Sequence, residues 1–345
     1  MDALPEQYGA WISEALGASL ARESKATCSD CAMCKPWPPV DQFKPDTKCC
    51  TFSPALPNFR VGAILADSDP AAARGREVAK ARIRSGDGAT PLELAPPRTY
   101  ALAYPRLSRD GFGKDRGLLC PFFDQGNCSI WRWREAVCGT YFCKYDRGDK
   151  GRQVWNDARR LLLVVEGAVA RWCALTAGVE DASLHSLVVL DQAAREGSAP
   201  QVTSPERVER AWGSWVGREE EFYLKCWELA KPLGWKDVLR LAGSEGDELA
   251  RALWSRFHHG LSEEIPARLR LEAFTVHGAK ERTVVITGYN GADMIDVDRE
   301  ALAALTRFDG RLVDVVLDEI SRRDGVTIAR EKLRELVDHG ILRPV

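Results

Sequence analysis

Apolar residues recur at helical spacing over several stretches of the chain, and each such stretch predicts an amphipathic helix. The predicted helices cover residues 5–24, 70–84, 152–177, about 204–231 and about 245–259. The helix at 152–177 has the clearest period, and its apolar positions run from Val154 to Val169 at a spacing near 3.6 residues. We expect Gly86 and Gly178 to end the second and third of these helices, because glycine adopts the left-handed conformation at a helix C-terminus with little strain.

The pattern changes after residue 266, where shorter segments replace the long helices. We predict strands at Leu269–His277 and Arg282–Thr287, a turn at 289–291, and short helices at Arg299–Leu305, Leu312–Ser321 and Ala329–His339. Thr327 is expected to cap the last helix, and Gly340 is expected to end it. Strands combined with three small helices favour a winged-helix-like domain. The segments at 308–316 and 336–342 resemble the small winged-helix modules that dock peptide substrates in peptide-modifying enzymes.

These elements predict an α+β fold that is mainly α. We expect three domains: an irregular Cys-rich metal-binding domain at 1–150, a helical domain packed on it at 151–262, and the winged-helix-like domain at 263–345. The 345 residues are 45% hydrophobic and 28% charged, with a net charge of −2, and no apolar run is long enough for a transmembrane helix. Residues 1–24 lack the apolar segment of a signal peptide, so we expect a cytoplasmic protein.

The cysteines dominate the candidate chemistry, because nine of the eleven lie in two blocks. The first block is Cys28-Ser-Asp-Cys31-Ala-Met-Cys34 with the pair Cys49-Cys50, and the second contains Cys120, Cys128, Cys138 and Cys143. The other two, Cys173 and Cys226, stand alone in predicted helices and are expected to be ordinary buried thiols. A disulfide framework is disfavoured, because the predicted compartment is reducing, the chain is long enough to bury a core, and the cysteine count is odd.

The spacing of these cysteines indicates a metal site. Thiolates are the preferred ligands of zinc, copper(I) and iron–sulfur clusters, and a C-x2-C pair lets two sulfurs converge on one ion. The run from Cys28 to Cys34 is C-x2-C-x2-C, which is typical of loops that hold an iron–sulfur cluster. The fourth ligand of such clusters is often followed by proline, as Cys120 is here by Pro121. One site with additional cysteines and two separate sites both remain open.

The cysteine pattern also resembles the YkgJ-type cysteine-cluster family, which is described as zinc- or iron-chelating. The matching pieces are Cys120-Pro121-Phe122, Gly126-Asn-Cys128-Ser-Ile130-Trp131 and Arg134-Glu135-Ala-Val-Cys138-Gly-Thr-Tyr141-Phe142-Cys143. The resemblance covers about residues 25–150 and implies the ligands Cys28, Cys31, Cys34, Cys49, Cys50, Cys120, Cys128, Cys138 and Cys143. Three features depart from the family: Cys49-Cys50 lies well beyond Cys34, Glu135 stands where proline is usual, and Trp131 stands where tyrosine is usual.

Basic residues accompany the cysteines. Between residues 60 and 160 the chain has 19 Lys and Arg against 12 Asp and Glu. Arg132, Arg134 and Lys144 lie among the candidate ligands, where they either offset thiolate charge or form part of the solvated surface. We expect no nucleic-acid binding, since the basic residues form no stripe with interleaved aromatic side chains.

Two functions from different classes are consistent with these motifs. The sequence has no P-loop, nucleophile elbow or H-E-x-x-H motif, so any catalysis is expected at the metal, and whether the protein is an enzyme stays open. The number of thiols favours an iron–sulfur cluster of the 4Fe–4S type. Such a protein would perform redox chemistry or metal-assisted modification, with a protein or peptide partner bound by the C-terminal domain and no membrane involved. The alternative is a non-catalytic zinc-binding module for interaction or regulation.

Overall fold

The computed structural model describes residues 4–25, 28, 30–35, 42–185, 187 and 205–345. Helix accounts for 56% and strand for 11% of the described residues. The strands form small antiparallel sheets. The predicted α+β class with mainly helical content is therefore confirmed.

The helices are numbered in chain order. They are α1 Glu6–Leu16, α2 Asn58–Ala66, α3 Ala73–Ser85, α4 Arg98–Gly111, α5 Ala136–Thr140, α6 Gly148–Thr176, α7 Pro205–Trp212, α8 Glu219–Ala230, α9 Trp235–Ser255, α10 Arg299–Ala304, α11 Val313–Asp324 and α12 Arg330–Asp338. Residues 181–185 are also helical.

The strands are short, and each pairs with antiparallel neighbours. They are β1 Leu56–Pro57, β2 Glu93–Leu94, β3 Phe123–Asp124, β4 Asn127–Cys128, β5 Arg268–Leu271, β6 Thr275–Ala279, β7 Thr283–Thr287, β8 Ile295–Asp298, β9 Asp309–Leu312 and β10 Leu342–Pro344. The sheets pair β1 with β2 and β3 with β4, and the two three-stranded sheets have the orders β6-β7-β8 and β10-β5-β9.

The chain divides into two compact units, each built from separate segments. The first unit contains residues 1–20, 46–140 and 158–251, and the second contains 21–45, 141–157 and 252–345. The three predicted domain ranges follow continuous sequence and stay a prediction.

In the first unit, α1 buries the apolar side that its sequence predicts. Tyr8, Trp11, Ile12 and Leu16 are all buried. The helix ends at Gly17, whose φ of +66° is left-handed, so the predicted extension to residue 24 is wrong. Apolar residues continue at helical spacing beyond Gly17, but the left-handed backbone of this glycine ends the helix.

Helices α2 and α8 of the first unit pack at close range because α2 presents a glycine to its neighbour. A Cβ atom added at Gly62 would lie 1.9 Å from the backbone oxygen of Tyr223. Only a residue without a side chain permits this approach. The neighbouring side chains Phe59, Val61 and Ile64 are fully buried.

Two predicted helices lie close to their expected positions. Pro70 opens a 3-10 turn that leads into α3, and Gly86 ends α3 with φ of +68°. Helix α6 begins at Gly148, earlier than predicted, and Gly178 follows its end with φ of +90°. Both glycine stops are confirmed.

Three more helical predictions differ from the structure. The helix predicted at about 204–231 is wrong as a single element, because α7 and α8 are separated by residues 213–218. The helix α4 was not expected, since it contains Pro105 and follows a proline-rich loop. The helix α9 begins at Trp235, ten residues before its predicted start. It is kinked at Gly243, where φ is +64°, so two helical segments follow each other there.

The second unit contains the C-terminal strands and helices around their own apolar core. The core comprises Leu269, Ile286, Ile295, Val297, Leu305, Phe308, Val316, Ile320, Leu333, Leu336 and Ile341. The predicted strand Leu269–His277 is instead two strands, β5 and β6, which belong to different sheets.

The three short C-terminal helices occur where they were predicted, and Gly340 follows the last with φ of +71°. The predicted cap at Thr327 is wrong, because Ala329 is the N-cap of α12 and makes no side-chain bond. The winged-helix likeness of this region stays a prediction. Within the described ranges, no helix combines the length and apolar character needed to cross a bilayer.

Candidate metal centre

The nine predicted ligands are divided between the two units. Cys49, Cys50, Cys120, Cys128 and Cys138 belong to the first unit, and Cys28, Cys31, Cys34 and Cys143 belong to the second. None of the cysteines forms a disulfide. The thiols are therefore in the reduced form that metal binding requires, and the first unit holds the larger group.

Two hydrogen bonds join the segment of Cys49 and Cys50 to the second cysteine block. The Cys120 amide donates to the Cys50 carbonyl at 2.7 Å. The Lys48 ammonium donates to the Gly126 carbonyl at 2.7 Å, in the turn that precedes Cys128. Both contacts bring residues that are distant in sequence to the same part of the first unit.

Cys128 lies on a tight hairpin formed by β3 and β4. Gln125 and Gly126 form its two-residue turn, with φ of +44° and +84°. Positive φ at both positions is the geometry that matches the twist of paired strands. Cys128 consequently lies opposite Phe123 in the ladder.

Cys138 lies on α5, whose N-terminus is capped by the buried side chain of Glu135. The Glu135 carboxylate accepts the backbone N–H groups of Val137 at 2.5 Å and Cys138 at 2.7 Å. The amide of the preceding residue, Ala136, donates to the buried Glu166 carboxylate at 2.8 Å. These bonds satisfy the N–H groups that a helix leaves unpaired at its start.

Helix α4 supports the chain that follows Cys50. The Tyr100 hydroxyl donates to the Thr51 carbonyl and accepts from the Ser53 amide, both at 2.9 Å. The Thr51 hydroxyl in turn accepts the Gly113 amide at 2.7 Å, just beyond α4. The backbone around the cysteine pair is thus held from both ends of this helix.

Three thiols of the first unit, those of Cys49, Cys120 and Cys138, favour the neutral form. A hydrogen bond with Cys50, reinforced by burial, raises the pKa of Cys49 well above its usual range. Burial raises the pKa of Cys120 to about 12, and Cys128 adds to that shift. Burial also raises the pKa of Cys138, with further contributions from Glu135 and Cys120. Thiolates at these positions therefore need a compensating positive charge.

Two buried guanidinium groups supply part of that charge. Arg134 stacks on the Trp131 ring at 3.5 Å, donates to the Cys138 carbonyl at 3.1 Å and lowers the pKa of Cys49. Arg82, on the buried side of α3, interacts electrostatically with Cys120 and lowers the pKa of that thiol.

The other two basic candidates behave differently. The Arg132 side chain is 60% exposed and lies near two aspartates, Asp67 with a buried side chain and Asp69 with an exposed one. Lys144 is half-buried and belongs to the second unit. Of the three predicted basic residues, only Arg134 interacts with a thiol group of the first unit in the contacts described.

The second unit holds the other four predicted ligands. Cys31 and Cys34 are joined by a backbone bond of 3.0 Å from the Cys34 amide to the Cys31 carbonyl, which closes a short 3-10 turn. The Cys143 carbonyl accepts the Asn290 side-chain amide at 3.5 Å. All four cysteines are half-buried.

The side-chain types of the first unit are those that thiolate-bound metals use, but the described residues do not arrange them as a formed site. The first unit offers five sulfurs, free of disulfides, together with two buried cations, which is the composition that a soft metal or an iron–sulfur cluster requires. In the part of the chain that the structure describes, no three His, Cys, Asp or Glu side chains are gathered closely enough to hold an ion.

Cys173 and Cys226 form a separate pair in the first unit. Both side chains are fully buried, and the Cys173 sulfur lies 3.5 Å from the Cys226 carbonyl oxygen. Burial and the neighbouring Cys173 thiol raise the pKa of Cys226. The prediction that both cysteines are buried is therefore confirmed.

Sequence reasoning missed Arg82, although a signal for it exists. On α3 the buried positions include Gly75, Val78, Ala79 and Arg82, which share one side of the helix. A charged residue at an apolar position of an amphipathic helix is unusual, because burying an unpaired charge is costly. A buried arginine at such a position is therefore a candidate for pairing with a functional group.

Comparisons with known proteins identified no relative of this chain. No family model, no curated protein and no solved structure matches the chain. The resemblance to the YkgJ-type family therefore stays a prediction that rests on the cysteine motifs alone.

Proposed function

We propose that this protein binds an iron–sulfur or iron centre through its cysteines and performs redox chemistry or metal-assisted modification of a protein or peptide partner. The observation that carries this proposal is the presence of five disulfide-free cysteines in the first unit, whose two sequence blocks are joined by the bond from the Cys120 amide to the Cys50 carbonyl. Five thiols exceed the four that one tetrahedral zinc ion takes.

The residues around the thiols have separate tasks under this proposal. Cys49, Cys50, Cys120, Cys128 and Cys138 would hold the metal. An iron–sulfur cluster, when bound, supplies one-electron redox chemistry. Arg134 offsets thiolate charge, since its guanidinium is buried close to Cys49. The Glu135 cap holds the backbone of Cys138 in place through two amide bonds.

The partner is proposed to bind the C-terminal strands of the second unit. In the sheet of order β6-β7-β8, the strand β6 lies at an edge, and Val276 on it is 54% exposed. An edge strand has unpaired backbone groups that can accept an extended peptide.

The decisive experiment measures iron, zinc and acid-labile sulfide in protein purified without oxygen, together with its visible spectrum. We expect iron with sulfide and a broad visible absorption that bleaches with dithionite. Colourless protein with full zinc occupancy and no sulfide would contradict the proposal. That result would support the zinc-binding interaction or regulatory module, which is favoured by the thiolate-only donor set of the first unit.

A further inference from the structure

A cavity in the second unit is lined by a buried histidine whose ring nitrogens are unpaired. The cavity has a volume of about 410 Å³, and His339 is one of its lining residues. His339 is 1% exposed, and neither its Nδ1 nor its Nε2 has a hydrogen-bond partner among the described residues. Leaving a buried polar group unpaired is costly, so a bound molecule that pairs with this ring would remove that cost.

The His339 ring is closely packed and uncharged. A Cβ atom added at Gly148 would lie 2.8 Å from the Cδ2 atom of His339, and the Tyr289 ring lies 5.9 Å from the imidazole between centroids. Burial lowers the pKa of His339 from 6.5, so the ring is neutral at pH 7. A neutral imidazole has one N–H donor and one acceptor nitrogen, and it can therefore pair with a carboxylate or with an ammonium group.

The charged side chains that line the cavity balance one another. Four basic and four acidic residues belong to the lining. Arg147 forms an ion pair with Asp338, and Lys332 forms one with Glu335. These two ion pairs account for two of the four lining charges of each sign.

Two of the other four lining charges also have partners. Arg334 pairs with Glu263 at 3.7 Å, and the Asp146 carboxylate accepts the backbone amide of Lys25 at 3.1 Å. The Lys25 ammonium and the Glu331 carboxylate are exposed and form no ion pair or side-chain hydrogen bond within the described part of the chain. One free cation and one free anion therefore remain at the cavity.

We propose that this cavity binds a free α-amino acid as a zwitterion, with the ligand carboxylate paired to Lys25, its ammonium paired to Glu331, and the His339 ring hydrogen-bonded to the bound molecule. A ligand with one charge of each sign complements both free charges, whereas a simple anion or cation would leave one of them unpaired. The volume lies within the usual range of small-molecule sites, about 300–1,000 Å³. None of the nine candidate metal ligands lines the cavity, so this inference does not depend on the proposed function.

The test uses the full chain and the common L-amino acids, each added separately at millimolar concentration. Thermal melting identifies the amino acids that stabilise the protein, and isothermal titration calorimetry measures their affinities. For the amino acid that binds most tightly, the N-acetyl derivative removes the ammonium and the carboxamide derivative removes the carboxylate.

The variants Lys25→Gln and Glu331→Gln each remove one of the free charges at an exposed position. Their matched controls are Arg282→Gln and Glu281→Gln, which change exposed residues of the same unit that do not line the cavity. We expect each cavity variant to weaken binding about three- to fivefold, because ion pairs at exposed positions are weak, and each control to bind like the unmodified protein.

The variant His339→Phe removes both ring nitrogens and should weaken binding at least about tenfold, because the ligand then loses a buried hydrogen-bond partner. Circular dichroism reports whether this variant folds, and the two exposed variants decide the test if it does not. Absence of binding for every amino acid would overturn the inference. Binding that neither Lys25→Gln nor Glu331→Gln changes, or equally tight binding of the two derivatives, would overturn it as well.

Discussion

The backbone amide of Cys120 donates to the carbonyl oxygen of Cys50 at 2.7 Å. These two residues come from different cysteine blocks of the sequence, and the bond holds their main chains together in the first unit. A backbone contact does not depend on the protonation state of the thiols. The two blocks are therefore connected through their main chains independently of any metal.

Replacing a predicted ligand by serine is expected to reduce metal content and stability together. Cys138→Ser should lose most of the bound metal, because the binding free energy of a thiolate site, about 10 kcal/mol or more, is also folding free energy. Metal analysis and urea unfolding measure the two effects. The control is Cys173→Ser, which removes a fully buried thiol that lies outside the candidate centre. Loss of metal in this control would show that the cysteines are assigned wrongly.

The two lone cysteines are expected to resist alkylation in the native protein. Cys173 and Cys226 are fully buried, and burial raises the pKa of Cys226, so thiolate is scarce and inaccessible there. In metal-free protein, iodoacetamide should label the half-buried Cys128 before Cys173 and Cys226, and mass spectrometry of peptides identifies the labelled sites. Equal labelling rates at Cys226 and Cys128 would contradict the burial of Cys226.

Adding one methyl group at Gly62 is expected to separate α2 from α8. The new Cβ would lie 1.9 Å from the Tyr223 carbonyl oxygen, so the helices must move apart, and Gly62→Ala should cost about 3 kcal/mol. Gly167→Ala in α6 is the matched control, because nothing lies within 4 Å of its Cβ position. The control should be neutral or gain up to about 1 kcal/mol from helix propensity. Chemical denaturation of the two variants distinguishes these outcomes.

The stability of the second unit is expected to fall between pH 5 and pH 8 because of Glu23. Its buried carboxyl accepts bonds from the Trp155 indole and the Asp146 amide, and burial raises its pKa from 4.5 to about 7. In this range the folded state keeps a proton that the unfolded state releases, so the stabilisation present at low pH is lost as pH rises through 7. The contribution of this group is about 2.5 kcal/mol.

Glu23→Gln should remove that part of the pH dependence. The measurement is the free energy of unfolding at pH 5 and pH 8, compared between the variant and the unmodified protein. Glu281→Gln, at an exposed position, serves as the control for the loss of one carboxyl group. An unchanged difference between the two pH values in Glu23→Gln would contradict the raised pKa.

Local sequence determined most of the helices. The amphipathic period of α3 and α6 and the glycines that follow them depend only on neighbouring residues, so these elements were predictable. Local signals conflict at two other helices. The apolar period of α1 continues past Gly17, where the helix ends, and α4 contains Pro105, which disfavours a helix. In α4, the packing of Tyr100 against Thr51 and Ser53 supports a helix that proline disfavours.

Residue type and spacing also determined the candidate metal ligands, because thiol chemistry belongs to the side chain itself. Only the tertiary structure decided that the nine cysteines divide into five in one unit and four in the other. It also decided that Arg134 and Arg82 are buried with the thiols of the first unit while Arg132 faces solvent. Proximity between residues far apart in the chain follows from the path of the backbone, and neither spacing nor composition contains that path.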